Sequence, residues 1–383
     1  MSVIAPPAPH PPASPVVKHP MAWYMPRFWH GMRLSTWLRE LARNRFDISP
    51  GRIPMVCSIT GFTALNSLLS AVDQTVNRRR VREAQLRESP LFILGHWRAG
   101  TTFLHELLIR DPDHAYPTTY RCFAPHHFVL TERFITPWSG FLLPARRPMD
   151  NMAAGWERPQ EDEFALANLG APTPYLSMMF PNRGPQSREY LTLRELPAAQ
   201  REQWKAKLLL FLKRLSVDGP RRIVVKSPGH TARVRTLLEL FPQAKFVHLS
   251  RDPFSLYRST MGLWQALHVE ETLQTIRDER WLGPEIVRTL REMYDAYFED
   301  RELLGDDQLV ELSYEELIDD PKGQVQRIYR QLQLGDPARL EAELDRHLTE
   351  VRNYRTNRHA LEDATCQMLR REWTRYFDEF GYE

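Results

Sequence analysis

The stretch LFILGHWRAGTTFLHELLIRD, Leu91 to Asp111, decides how the rest of the chain is read. Leu91 to Leu94 is a short apolar run bounded by Pro90 and Gly95, the pattern of a buried strand. Beyond Gly100, Phe103, Leu104, Leu107 and Leu108 recur at helical spacing. The order is therefore strand, glycine loop, helix. Such a loop turns backbone N–H groups and the positive end of a helix dipole towards an anion, and its glycines let the backbone approach closely.

The loop follows the Walker A spacing with one departure. Gly95 and Gly100 stand five apart and Thr102 takes the hydroxyl position, but Thr101 stands where the lysine belongs. That lysine reaches the terminal phosphates of a nucleoside triphosphate and the hydroxyl holds Mg²⁺, so its loss argues against a triphosphatase. Arg98, inside the loop, supplies a cation suited to a ligand whose terminal group carries less charge than a γ-phosphate. The plain alternative is a structural glycine turn.

Working outward, the 383 residues can bury a sizeable core, and 42% hydrophobic with 26% charged residues is an ordinary globular composition. A net charge of +3 gives no sign of a nucleic-acid partner. Cys57, Cys122 and Cys366 are few, odd in number and far apart, which fits a reducing, cytoplasmic setting and neither a disulfide framework nor a zinc site. Residues 1–20 are expected to form a disordered proline-rich tail, not a signal peptide, and residues 21–89 a helical N-terminal extension ahead of a catalytic domain over 90–383. No stretch reads as long enough for a membrane span. The nearest, Ile53 to Val72, is interrupted by Ser58, Thr60, Thr63, Asn66, Ser67 and Ser70 and is expected as a packed helix with Phe62, Leu65, Leu68 and Leu69 on one side. A second reading docks this extension on a membrane surface, and Trp23, Tyr24, Phe28 and Trp29 add an aromatic segment before it.

Downstream, Asp113 to Pro148 has no period and reads as a long loop with short helices; the neighbouring His126 and His127 point apart and suit packing or hydrogen bonding better than a metal. Trp156 to Leu169 reads as a helix with Pro159 and three acids, Glu161, Asp162 and Glu163, in its first turn. Dipole complementation explains one acid, and three exceed it, so one is a candidate general base. Gln200 to Leu215 is an amphipathic helix leading to the strand Arg222 to Lys226, whose carboxyl end carries Lys226, Ser227 and His230. Thr231 to Phe241 is a helix and Ala244 to Leu249 a third strand, followed by Arg251 and, eight residues later, Ser259. Ligands of open parallel sheets lie beyond the carboxyl ends of strands, which groups these residues with the glycine loop. Gln308 to Leu312 is a fourth strand, and Ile286 to Leu304, Lys322 to Leu334, Pro337 to Leu348 and Glu362 to Phe380 are helices. The fold class is α/β: a parallel sheet of four or five strands flanked by helices.

These motifs resemble the sulfotransferase family that uses 3′-phosphoadenosine 5′-phosphosulfate (PAPS). WRAGTT, Trp97 to Thr102, is similar to the family's P-R-S-G-T-T loop for the 5′-phosphosulfate, with Trp97 for proline and Ala99 for serine; Arg251 with Ser259 is similar to its 3′-phosphate pair. LVELSYEELIDDP, Leu309 to Pro321, and the closing YRTNRHALE and FGY resemble the broad bacterial-type group. The resemblance runs from about Pro90 to the end and implies a P-loop-like fold, PAPS as co-substrate and no metal.

By this resemblance Arg98, Ala99, Gly100, Thr101, Thr102, Lys226, Arg251 and Ser259 hold the donor, with Asn357 and Arg358 closing over the nucleotide or forming a surface salt bridge. Lys226 and Arg98 would face the leaving phosphosulfate, and His230 or one of Glu161 and Glu163 would take the proton of an acceptor hydroxyl or amine in an in-line displacement. The aromatics between Tyr116 and Tyr190, with few lysines, favour a small or lipid-like alcohol over a polyanionic sugar. The rivals are a nucleotide kinase-like P-loop enzyme and a catalytically inactive nucleotide-binding scaffold.

Overall fold

Alternation along one short strand builds two cores at once. In β1 (Leu91–Leu94), Phe92 and Leu94 enter the larger core while Leu91 and Ile93 enter the other, all four fully buried. A computed structural model describes residues 17, 19–86, 88–148, 152–351 and 361–383. It contains a five-stranded, all-parallel sheet in the order β2 (His114–Ala115), β3 (Arg222–Lys226), β1, β4 (Lys245–Ser250), β5 (Leu309–Ser313). Parallel sheets are covered on both faces, which is why the strands read as apolar runs.

Leu91, Ile93, Val224, Val247, Leu249, Val310 and Leu312 pack against Leu104, Leu107 and Leu108 of the helix after the loop (Thr101–Leu108) and against Val325, Ile328 and Leu332 of the helix Pro321–Leu332. Each such side chain contributes about 1.5–3 kcal/mol on burial. The opposite face, with Phe92, Val225 and Phe246, packs against helices Ala198–Leu215 and Leu282–Asp300. That same core takes in Trp29, Met32, Trp37, Leu41 and Ile59, so the N-terminal helices share it with the sheet.

Register places the functional ends. Ile93 is level with Lys226 and Leu94 with His248, so Lys226 and Arg251 both emerge beside the loop that follows β1.

Several expectations change. A fifth strand, His114–Ala115, lies in the segment read as loop; two residues are too few to show a period. The helix expected from Pro159 begins at Asp162, because Pro159 is held in a bridge with Thr118. Glu362 to Phe380 is two helices, Asp363–Glu372 and Thr374–Phe380, meeting at Trp373. The N-terminal extension holds helices α1 (Leu34–Arg43) and α2 (Ile53–Val76). With the turn Pro50–Arg52 ahead of it, α2 is long and apolar enough, by length and composition, to cross a membrane, contrary to the expectation that no stretch reaches that length. It also packs the other way round: Thr63, Asn66, Ser70 and Asp73 are buried, whereas Phe62, Leu65 and Leu68 are exposed.

Candidate active site

Glycine geometry shapes the loop. Gly95 and Gly100 have φ of +137° and +98°, values side chains rarely adopt, and a Cβ on Gly100 would lie 2.4 Å from the Tyr314 ring. Gly95 N–H donates to Thr231 Oγ1 at 2.8 Å, tying the loop to the turn after β3. Arg98 also has positive φ, +70°, a costly conformation for a non-glycine residue that the surroundings must hold. Gly100 then caps the helix Thr101–Leu108, whose opening N–H groups at Thr101 and Thr102 have no acceptor within the helix, the arrangement that suits an anion. Ala99 is fully buried beneath the loop.

The strained Arg98 joins the second anchor. Its Nε donates to Ser259 Oγ at 2.8 Å, and Arg251 Nη1 donates to the Arg98 carbonyl at 2.6 Å. The Arg251 guanidinium lies 4.3 Å from the Tyr314 ring centroid, a cation–π contact. Its backbone is clamped by Tyr376, whose hydroxyl accepts from Arg251 N–H and donates to Arg251 C=O, both at 3.0 Å. Asp252 caps the helix Pro253–Glu271 by accepting from Ser255 N–H at 2.8 Å, which sets Ser259 on the helix face towards the loop.

At the end of β3, Lys226 Nζ donates to Glu161 Oε1 at 2.7 Å. Both side chains are largely withdrawn from water, 5% and 14% exposed. Burial pushes the Lys226 ammonium below the ordinary lysine value, against the pull of Glu161. The Tyr175 hydroxyl donates to Glu161 Oε2 and accepts from Trp97 Nε1, the latter at 2.8 Å. Burial, then the nearby Glu161 and Glu163, push the Tyr175 hydroxyl well above the usual tyrosine range, so it stays a donor. A continuous chain of contacts thus runs from the glycine loop through Trp97, Tyr175 and Glu161 to Lys226.

The three consecutive acids part company. Glu161 is the N-cap residue and faces Lys226. Asp162 is fully buried, accepts from Ser227 Oγ and lies 2.8 Å from His230 Nε2. Burial raises its carboxyl, but His230 and Ser227 outweigh that and hold it below the ordinary range. His230 is itself fully buried, edge-on to Phe92 and Trp204. Glu163 is gripped by Arg233 at 2.6 and 3.0 Å and accepts from Thr173 at 2.5 Å. Arg98, Gly100, Thr101, Thr102, Lys226, Arg251 and Ser259 gather with Glu161 along the carboxyl edge of the sheet, at the ends of the central strands β3, β1 and β4, whereas His230 and Glu163 point into the core behind it. Asn357 and Arg358 lie outside the described residues. His126 and His127 are hydrogen-bonding residues, to the Asn168 carbonyl at 2.9 Å and to Thr131 Oγ1 at 2.9 Å respectively.

Sequence reading missed Tyr175, Tyr314 and Tyr376. Tyr314 stands in the quoted LVELSYEELIDDP motif, which left its role unassigned, whereas no local pattern marks Tyr175 and Tyr376, because their partners come from distant segments.

This edge carries the lysine-less glycine loop and the Arg/Ser pair that the resemblance leads one to expect together. Residues 90–338 match the model of the Sulfotransferase family, and the chain belongs to it. The chain is 40% identical over 361 residues, 94% of its length, to the omega-hydroxy-beta-dihydromenaquinone-9 sulfotransferase Stf3 of Mycobacterium bovis, covering 92% of that protein; the Stf3 of Mycobacterium tuberculosis matches equally. At that coverage most of the N-terminal extension is shared with these relatives. Among solved structures, sulfotransferase STF9 of Mycobacterium avium superposes with a TM-score of 0.65 at 22% identity, covering 88% of each chain. STF1 of M. tuberculosis gives 0.61 at 18% identity, covering 90% of this chain and 91% of that one. The protein is thus a sulfotransferase with the α/β fold of these enzymes.

Proposed function

We propose that this sulfotransferase takes its sulfuryl group from PAPS and passes it to the hydroxyl of a lipid-like alcohol, with Glu161 as general base. The observation that carries the reading is the direct meeting of the two donor anchors, Arg98 with Ser259 and Arg251 with the Arg98 carbonyl. The donor set also fits in kind: a helix N-terminus and three cations line one edge, as three anionic positions require. Bound there, PAPS would supply an activated sulfuryl group whose bond to the 5′-phosphate oxygen breaks as a bond from sulfur to the acceptor oxygen forms.

The residues divide the remaining work. Thr101 and Thr102 N–H groups with Arg98 hold the phosphosulfate end, and Arg251 with Ser259 the 3′-phosphate. Lys226, paired with Glu161 in the structure described, turns to the bridging oxygen as it gains charge; this releases the Glu161 carboxylate to take the acceptor's proton. Tyr175 keeps that carboxylate aimed. Glu161 is preferred to His230 and Glu163 because those two are buried inside the core, His230 against Asp162 through Nε2 alone, with Nδ1 lacking a partner among the described residues, and Glu163 against Arg233.

For the acceptor, the relative's name specifies an omega-hydroxylated menaquinone, an apolar molecule with a hydroxyl. The tryptophans Trp97 and Trp264 beside Tyr175 offer an apolar approach to the same edge. The deciding experiment is calorimetry with adenosine 3′,5′-bisphosphate against ATP–Mg²⁺, then transfer assays on an omega-hydroxylated quinone lipid and on a glycan. Metal-free preference for the bisphosphate, with sulfation of the lipid alone, supports the proposal. Preference for ATP–Mg²⁺ would overturn the donor, and sulfation of the glycan alone the acceptor.

A further inference from the structure

An ordinary surface helix hides its apolar stripe and shows its polar one. α2 does the reverse. After Ile59, which enters the core, its buried side carries Thr63, Asn66, Ser70 and Asp73, each engaged: Asn66 Nδ2 donates to the carbonyls of His30 (2.6 Å) and Met32 (3.1 Å), and Asp73 pairs with Arg214 at 2.8 Å. Its outer side shows Ile53, Phe62, Leu65, Leu68, Val72 and Val76, between 41% and 63% exposed, and no charged residue interrupts it from Ile53 to Ala71. A contiguous apolar face of this kind marks an interaction surface.

Three further observations identify what covers it. The next helix, α3 (Arg78–Glu83), carries Arg78, Arg79, Arg80 and Arg82 against one glutamate, and all four arginines are exposed. A cationic cluster at the end of an apolar face is complementary to anionic headgroups over acyl chains, not to another apolar protein face. Next, the segments packed on α2 bring more exposed aromatics: Phe134 lies in the last turn of the helix Phe128–Ile135 that abuts α2, with Trp138 (81% exposed) just beyond it, and Trp23 (84%) precedes the turn Phe28–Gly31 that also abuts α2. Tryptophan favours the membrane–water interface. Last, α2 passes the length test for a span but cannot leave the domain to cross a bilayer, since that would strand Asp73, Asn66 and Arg214 without partners.

We infer that the outer face of α2 docks this enzyme in the plane of an anionic lipid surface, with α3 on the headgroups. The choice of a lipid occupant gains from the lipid-like acceptor proposed above, but its test needs neither donor nor acceptor. Flotation of the full chain with phosphatidylcholine vesicles, with and without phosphatidylglycerol, reads docking directly. Wild type is expected to float with the anionic vesicles and more weakly with neutral ones. Phe62→Glu, Leu65→Glu and Leu68→Glu together should lower partitioning about tenfold or more, and Arg78→Ala, Arg79→Ala and Arg80→Ala together should abolish the anionic preference. All six positions are exposed, and an unchanged circular dichroism spectrum with a cooperative thermal melt verifies folding. Absence of wild-type flotation, or equal flotation of the glutamate variant, overturns the inference. So does a wild-type dimer that the glutamate variant converts to monomer without any vesicle binding, which would assign the face to a second copy. Failure of the sulfotransfer reading would show differently, as vesicle binding without turnover of any acceptor.

Discussion

Glu161 and His230 sit on opposite sides of the same question, and single substitutions separate them. Glu161→Gln keeps shape and the Tyr175 contact but cannot take a proton. Turnover should fall about 10²- to 10⁴-fold, with bisphosphate affinity nearly unchanged; a loss below tenfold would reject Glu161 as the base. His230→Ala removes a buried ring and leaves Asp162 with one partner fewer, so its main effect should be a lower melting temperature. If instead His230→Ala melts normally and loses turnover to the same degree, the roles are reversed. Arg251→Ala and Ser259→Ala should each weaken bisphosphate binding in calorimetry, the arginine by about ten- to a hundredfold, as for a charged hydrogen bond. Equal affinity in Arg251→Ala would remove the 3′-phosphate assignment. The residue types at these sites were legible in the sequence because glycine, arginine and serine spacings are local. Which acid faces the site was not: Glu161, Asp162 and Glu163 adjoin in sequence, and only tertiary partners (Lys226, His230 and Arg233) tell them apart.

At the scale of elements, periodicity identified four of the five strands and most long helices, and it failed where an element was short or where its orientation mattered. β2 offers two residues and no period. For α2, the pattern shows that one side is apolar but not which side faces inward; the expectation that Phe62, Leu65 and Leu68 pack inside was reasonable and is wrong, because Asp73 and Asn66 find partners in the domain. The junction of strand and helix gives a sharper test. Gly100→Ala would force a side chain into φ +98° and against Tyr314, the ring that supports Arg251. A cost of about 1–3 kcal/mol is expected in chemical denaturation, together with weakened bisphosphate binding. Unchanged denaturation and binding would mean that the loop has another conformation in solution.

For the molecule as a whole, buried histidines set the acid limit of stability. Burial holds His30, His96 and His127 down at about 4, and His105, His126 and His248 at about 3, from an ordinary 6.5. Between those values the unfolded chain binds protons that the folded one refuses, so stability rises with pH from about 3 to 6.5 and is lost on acidification. Glu271 acts with the opposite sign: burial raises its carboxyl to about 8, so the folded state keeps a proton and loses stability as pH climbs from 4.5 to 8. Melting temperature should therefore climb steeply towards neutral pH and then decline gently. A flat profile between pH 4 and 6.5 would contradict the burial of these rings. The inside-out α2 also reverses the usual rules for improving a protein. Adding leucine at a buried position normally strengthens a helix, yet Asp73→Leu would isolate the Arg214 charge and cost about 3–5 kcal/mol. Substitutions that raise solubility without touching the core belong on its greasy outer side, where replacing Leu68 or Val72 by a polar residue takes exposed hydrocarbon off the folded surface. A screen selecting only for solubility would therefore enrich changes on that side, and would map the helix face that the folded core leaves uncovered.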